Sequence, residues 1–298
     1  MKKTLVSIVA AACAFAAVAA DSTSPRKSLK VLMIGNSFSI CCLEEMPPVA
    51  KAMNLELDLA SLYIGGCTLF RHWQNVETSA TNANYRPYQF NRKVNGVKAA
   101  GGNLSIQEGL KLADWDVVTI QQGSHESWRP ETYHPYGDNL VRTIHELCPR
   151  AKIVVQETWS YTPFDGRLAQ WKITPDEMYA KLHNAYWDFA KKHRLEVIPT
   201  GAAVDLWRKR LPVKYGENLD FGEDVTGSVW MAKDKDGKEE QRVDRFHLNW
   251  RGHYLQALVW TAKLYGVDVT KCTYRPERLA ADRAELMKKL AMEAVAAK

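Results

Sequence analysis

The sequence predicts an α/β fold: a three-layer α/β/α sandwich around a central five-stranded parallel sheet. Two observations carry this. Short apolar runs recur at 31–34, 116–120, 151–155 and 196–199, a stretch at 55–64 alternates apolar and polar residues before turning apolar, and helical segments separate them. Such runs, apolar on both sides of the strand, suit a parallel sheet covered by helices on two faces. No internal repeat and no linker-like stretch divides 30–298, which is read as one domain. At 298 residues and 46% hydrophobic, the chain can bury a core of that size.

The chain opens on a signal-peptide pattern at 1–20. Lys2 and Lys3 start it, an apolar run fills 5–17, and Val18, Ala19 and Ala20 precede Asp21 as a small-residue cleavage site. The run is too short and wrongly flanked for a membrane span, so no stable membrane insertion is expected. Ala10, Ala11 and Ala12 precede Cys13 and the apolar run continues past it, which argues against a lipid anchor. The reading is a periplasmic or secreted protein. Residues 21–29 read as a polar, mobile leader.

The first strand, 31–34, stops at Gly35, Asn36 and Ser37, and a helix over 43–53 follows, bent or started late by Pro47 and Pro48. The second strand ends at Gly65 and Gly66. Between Tyr85 and Gly102 the pattern becomes a hairpin around Asn95-Gly96, read as an excursion from the main sheet. A short helix at 106–113 leads to the third strand, which ends in Gln121, Gln122 and Gly123. Helices at 139–147 and 175–193 flank the fourth strand; the longer one sets Met178, Leu182, Ala185 and Phe189 on one face. The fifth strand is followed by a helix at 202–210. An insertion at 213–243, rich in Gly, Asp and Lys, reads as an exposed hairpin. Helices at 252–265 and 280–297 close the chain.

Composition excludes several function classes. Loss of Lys2 and Lys3 with the signal peptide lowers the formal charge from +6 to +4, and no long basic run interleaves with aromatics. Nucleic-acid binding is therefore not expected. Five cysteines remain, Cys41, Cys42, Cys67, Cys148 and Cys272, an odd number without regular spacing, which argues against a disulfide scaffold. There is no Cys-x-x-Cys pair and no His-Glu-x-x-His motif, so no metal and no cofactor is expected.

In a parallel sheet, ligands sit beyond the carboxyl ends of the strands. The tips of strands one, two and three then bring Ser37, Gly65-Gly66 and the turn Gln122-Gly123-Ser124-His125 to one edge. Taken alone, the first tip reads as a turn in which Ser37 or Ser39 caps a helix. A strand-tip serine is also well placed as a nucleophile, given a base. Asp244-Arg245-Phe246-His247, on a turn leading into a helix, offers one. Asp and His three apart can set a carboxylate against the imidazole Nδ1 and leave Nε2 free for the serine proton. Arg71, His72 and Trp73, together with Glu126 and Trp128, are the residues expected to line the pocket. Aromatic faces at a cleft mouth can stack on sugar rings.

Gly35-Asn36-Ser37-Phe38-Ser39 resembles the first block of the SGNH (GDSL-type) hydrolases, with Asn36 where Asp is more usual. Ile64-Gly65-Gly66-Cys67-Thr68 resembles the second block and Asp244-Arg245-Phe246-His247 the last. The wording is also similar to a little-characterised bacterial branch of that superfamily, known only as a domain of unknown function. The resemblance runs from about Lys30 to Gly266. It implies a flavodoxin-like SGNH hydrolase fold, with Ser37 as nucleophile, His247 as base and Asp244 orienting it. The backbone N–H groups of Ser37 and Gly66 would bind the oxyanion. The third block departs from the family's Gly-x-Asn-Asp: in register it reads Gly123-Ser124-His125-Glu126. Either His125 or Gln122 is left to replace the Asn donor. The implied activity is hydrolysis of a small-molecule or glycan ester, as an O-deacetylase of acylated carbohydrate. The alternative is a non-catalytic glycan-binding protein on the same scaffold.

Overall fold

A computed structural model describes residues 27–211, 213, 215 and 219–297. The signal-peptide reading of 1–20 and the start of the leader lie outside these residues. The elements, in chain order, are β1 (Ser28–Gly35), α1 (Cys42–Ala52), β2 (Glu56–Tyr63), α2 (Leu69–Thr81), β3 (Tyr88–Val94) and β4 (Val97–Leu104). There follow α3 (Ile106–Lys111), β5 (Val117–Ile120), α4 (Tyr136–Leu147), β6 (Lys152–Gln156), α5 (Gly166–Trp171), α6 (Pro175–His193) and β7 (Glu196–Ile198). The last are α7 (Thr200–Arg210), β8 (Thr226–Lys233), β9 (Glu239–Leu248), α8 (Trp250–Tyr265) and α9 (Ala281–Ala296).

The main sheet has seven strands in the order β4-β3-β2-β1-β5-β6-β7. The five strands β2, β1, β5, β6 and β7 run parallel, as expected. The hairpin of β3 and β4 is not an excursion: β3 pairs antiparallel with β2 and extends the sheet by two strands. Tyr88 and Phe90 explain the docking, since both are buried on one face of β3 while Gln89, Asn91 and Lys93 take the other. The leader is also shorter than read. β1 begins at Ser28, and Leu29 is already in the core.

β1 is fully buried from Val31 to Ile34, so both faces of the sheet are covered. One group of helices, α1, α7, α8 and α9, packs together, and α2, α3 and α4 form another. α1 runs through Pro47 and Pro48 without a break, and Leu43, Met46, Val49 and Ala50 of its inner face are in the core. α6 begins at a capping box of Thr174 and Glu177 with Pro175 in the first turn, a strong local start signal.

β1 is the switch point of the sheet. The chain leaves it for β2 on one side and returns through α3 to β5 on the other. Register sets the strand tips level: Gly35 lies opposite Tyr63, and Ile34 opposite Ile120. The loops after β1, β2 and β5 therefore begin side by side and diverge around a crevice. A second sheet, the antiparallel ribbon of β8 and β9, stands apart from the first. Among the described residues no helix is long and apolar enough to cross a membrane. Cys41, Cys42, Cys67, Cys148 and Cys272 are free thiols.

Candidate active site

Ser37 lies just past the end of β1, partly exposed, between buried Asn36 and buried Phe38. The backbone is crowded here. A Cβ on Gly35 would fall 2.6 Å from the Ser39 hydroxyl and 3.1 Å from the Gln121 amide, so only glycine fits. Neither Ser37 nor Ser39 caps the following helix, because the N-cap of α1 is Cys41, which makes no side-chain cap bond. Asn36 holds the turn in three directions. Its Nδ2 donates to the Cys67 carbonyl (3.0 Å), and its Oδ1 accepts from the Phe38 N–H (3.0 Å) and from Gln121 Nε2 (2.5 Å). An aspartate could accept but could not donate to Cys67. The Phe38 carbonyl in turn accepts from Gln156 Nε2 (2.7 Å) and Gln256 Nε2 (2.8 Å).

Asp244 and His247 come from the ribbon. They sit on β9 itself, not on a turn leading into a helix, because β9 continues to Leu248 before α8 begins. His247 Nε2 lies 2.7 Å from Ser37 Oγ, and His247 Nδ1 lies 2.5 Å from Asp244 Oδ2. The other Asp244 oxygen accepts the backbone N–H groups of Phe246 (2.9 Å) and His247 (2.8 Å). Burial raises the Asp244 carboxyl, but the bonds from His247 and these two N–H groups outweigh it and hold it below the usual range. The ribbon is tied back to the loop after β6. Trp159 Nε1 donates to the Phe246 carbonyl (2.8 Å), and Thr162 donates to the Arg245 carbonyl through its N–H (3.1 Å) and hydroxyl (2.8 Å). Trp159 also stacks on Phe38 at 4.3 Å, and Arg167 lies 4.2 Å from the Phe246 ring centre.

The loop after β2 carries Gly66, exposed and at φ +59°, a conformation that favours glycine. Neither the Ser37 N–H nor the Gly66 N–H has a protein acceptor among the described residues. This loop is held from two sides, by Asn36 at Cys67 and by Gln122 at Leu69. The Gln122 side chain is fully committed there. Its Oε1 accepts from the N–H groups of Leu69 and Gly123 (2.8 Å each), and its Nε2 donates to the carbonyl (3.2 Å) and hydroxyl (3.0 Å) of Thr132. Gln122 is buried and has no donor left for an oxyanion, so it acts as a staple. His125, partly exposed in the same turn, is the member of that pair without such ties.

The expected pocket residues fall elsewhere. Arg71, His72 and Trp73 belong to α2. His72 is completely buried, with Nδ1 2.8 Å from the Tyr88 hydroxyl, and so cannot line a cleft. Burial, with help from the Arg71 charge, pushes its pKa down to about 3. Trp73 packs on the core, and Arg71 is exposed on the helix surface. Glu126 and Trp128 lie beyond the β5 tip, where Trp128 packs against Trp171 at 5.4 Å. None of the five lines the cavity that opens at Ser37 and His247.

That cavity has a volume of about 570 Å³. It runs between α1 and the face of β2 and β3 that bears Tyr63, Gln89, Asn91 and Lys93, and His253 of α8 also borders it. Sequence reading missed this wall. The alternation of β3, with Gln89, Asn91 and Lys93 on one face, was the available signal.

A solved structure of a DUF4886 family protein from Bacteroides uniformis aligns with a TM-score of 0.73 at 24% identity, covering 90% of this chain and 95% of that one. This likeness shows a shared fold. A protein from Slackia heliotrinireducens described as a candidate SGNH hydrolase aligns over 78% of this chain and 97% of its own, at 18% identity and a TM-score of 0.49. An acetyl xylan esterase aligns over 78% of this chain and 99% of its own, at 15% identity and a TM-score of 0.46. Comparison with curated proteins finds no match. A family model matches residues 30–224, which include Ser37 and Gly66 and stop short of Asp244 and His247. The chain belongs to that family, described as a domain of unknown function (DUF4886).

Proposed function

We propose that this protein is a serine ester hydrolase. The observation that carries the reading is the unbroken chain from Ser37 Oγ to His247 Nε2 (2.7 Å) and from His247 Nδ1 to Asp244 (2.5 Å), at the mouth of an open cavity. Ser37 Oγ attacks the ester carbonyl carbon while its proton passes to His247 Nε2. The carbonyl electron pair moves onto oxygen, and the N–H groups of Ser37 and Gly66 receive that charge. Gln122 is occupied, which favours the His125 imidazole as a third donor. Asp244 fixes the tautomer of His247 and stabilises the imidazolium. The tetrahedral adduct expels the alcohol, which takes the proton from His247. Water then attacks the acyl-serine with His247 again as base, and the acid leaves.

The carboxamides Gln89 and Asn91 on one wall of the cavity, facing the apolar Ile40 and Leu43, support an acylated carbohydrate as substrate and O-deacetylation as the reaction. The signal-peptide pattern at 1–20 supports a periplasmic or secreted site of action. Acetate release from p-nitrophenyl acetate and from acetylated glycans tests the reading. Ser37→Ala lowers kcat by about 10⁴-fold or more while leaving the thermal midpoint near that of the parent. A parent protein that releases no acetate yet binds glycans would replace this reading with the non-catalytic one.

A further inference from the structure

The hairpin that the sequence presents as an excursion from the main sheet supplies one wall of the cavity at Ser37. Cross-strand pairing sets Gln89 opposite Tyr63 and Asn91 opposite Ser61, so these side chains share one face. Gln89 is exposed, and Asn91 and Tyr63 are partly exposed. Across the cavity stands Glu45 of α1, also partly exposed. The side chains of Gln89, Asn91, Tyr63 and Glu45 make no hydrogen bond or ion pair to any described residue.

The rest of the wall is different. Lys93 is the one lysine or arginine among the described lining residues, and its Nζ is bound to Glu44 at 2.5 Å. Arg278 influences Glu45 from outside the lining and is itself stacked on Trp250, 4.2 Å from the ring centre. The free polar groups are thus two carboxamides, a phenol and a carboxylate, set beside the apolar Ile40 and Leu43. Each carboxamide offers a donor and an acceptor, a set suited to neighbouring hydroxyl groups. An anionic head group would meet Glu45 with no unpaired lysine or arginine among the described lining residues to answer it. Burial raises the Glu45 carboxyl, which places it in a partly desolvated position where a hydroxyl donor is worth more.

We propose that Gln89, Asn91, Tyr63 and Glu45 form a polyol subsite, which binds the hydroxyls of an uncharged sugar and presents its ester to Ser37. The proposal rests on the ester-hydrolase reading of Ser37 and adds to it the alcohol side of the substrate.

The test compares three esters: monoacetylated glucose, p-nitrophenyl acetate and acetylcholine. In a Gln89→Ala/Asn91→Ala double variant, the ratio of kcat/KM for monoacetylated glucose to that for p-nitrophenyl acetate falls roughly 10- to 50-fold, mainly through KM. Glu45→Gln, which keeps the shape and one acceptor oxygen while losing the charge, lowers the ratio less. An unchanged ratio overturns the subsite, as does a parent enzyme that prefers acetylcholine. If the parent cleaves none of the three, the hydrolase reading falls. Saturation-transfer NMR with glucose and xylose then decides the subsite alone: transfer that is lost in the double variant supports it, and no transfer to the parent overturns it.

Discussion

Ser37 stands at the tip of the central strand of a seven-stranded sheet, whereas Asp244 and His247 stand on a two-stranded ribbon beside it. The two regions are secured in different ways. Around Ser37 the ties are buried carboxamides: Asn36, Gln121, Gln122, Gln156 and Gln256 each satisfy backbone groups or one another. The ribbon has exposed flanks, including Val229, Trp230 and Met231, and lacks comparable buried amides among the described residues. Next to His247 it is fastened at two carbonyls, those of Arg245 and Phe246, by Thr162 and Trp159, while Arg208 and Asn249 hold the start of β8 at Thr226 and Gly227. Placement of His247 thus depends on the loop after β6 as well as on the ribbon's own pairing.

The sharpest way to break this asymmetry is to cut the fastening. A Trp159→Phe/Thr162→Val double variant removes the side-chain bond at each carbonyl, leaving the Thr162 N–H bond to Arg245 and most of the packing in place. We expect kcat to fall about 10²-fold, the scale of a misplacement of about 1 Å, with a smaller effect on KM. Esterase kinetics alongside a thermal melt measure it; equal loss of stability and activity would show that the ribbon is not separately held. On the other side, Asn36→Asp replaces a donor to the Cys67 carbonyl with an acceptor facing it at 3.0 Å. That change costs about 1–3 kcal/mol in urea unfolding at neutral pH. Unchanged stability would mean that Asn36 is not a keystone of this region.

The smallest effect per step concerns pH. His72 belongs to the helix that follows Gly66, and its buried imidazole has a pKa of about 3 in the folded state. In the unfolded chain it titrates near the ordinary value of about 6.5. Between these values the unfolded state binds the proton and the folded state does not. Stability is therefore whole above about pH 6.5 and falls as pH drops, by up to about 1.4 kcal/mol per unit. His72→Gln removes this slope while keeping a polar partner for Tyr88. Urea unfolding at several pH values measures the difference, and an unaltered slope would place the acid sensitivity elsewhere.

What the sequence made legible follows from where each signal is local. Most of the five parallel strands announce themselves by short apolar runs, Ser37 and Gly66 by their position at strand tips, and Asp244 and His247 by their spacing of three. The pairing of β3 with β2 is a long-range fact, and nothing within residues 88–104 names the partner strand. α2 was hidden because His72 and Asn75 occupy its buried face beside Leu69 and Val76, which blurs the apolar period. Gln122 could be weighed as an oxyanion donor only while its partners Leu69, Gly123 and Thr132 were unknown.

Ser37 and His247 are separated by 210 residues, and on the proposed mechanism neither can act until the other arrives. Closing so long a loop carries an entropic cost that local helices and hairpins do not meet. On the proposed mechanism, catalytic competence therefore requires both segments to be folded together. Recovery of ester hydrolysis after dilution from denaturant would serve as a clock for the joining of distant segments, running behind any probe of local structure.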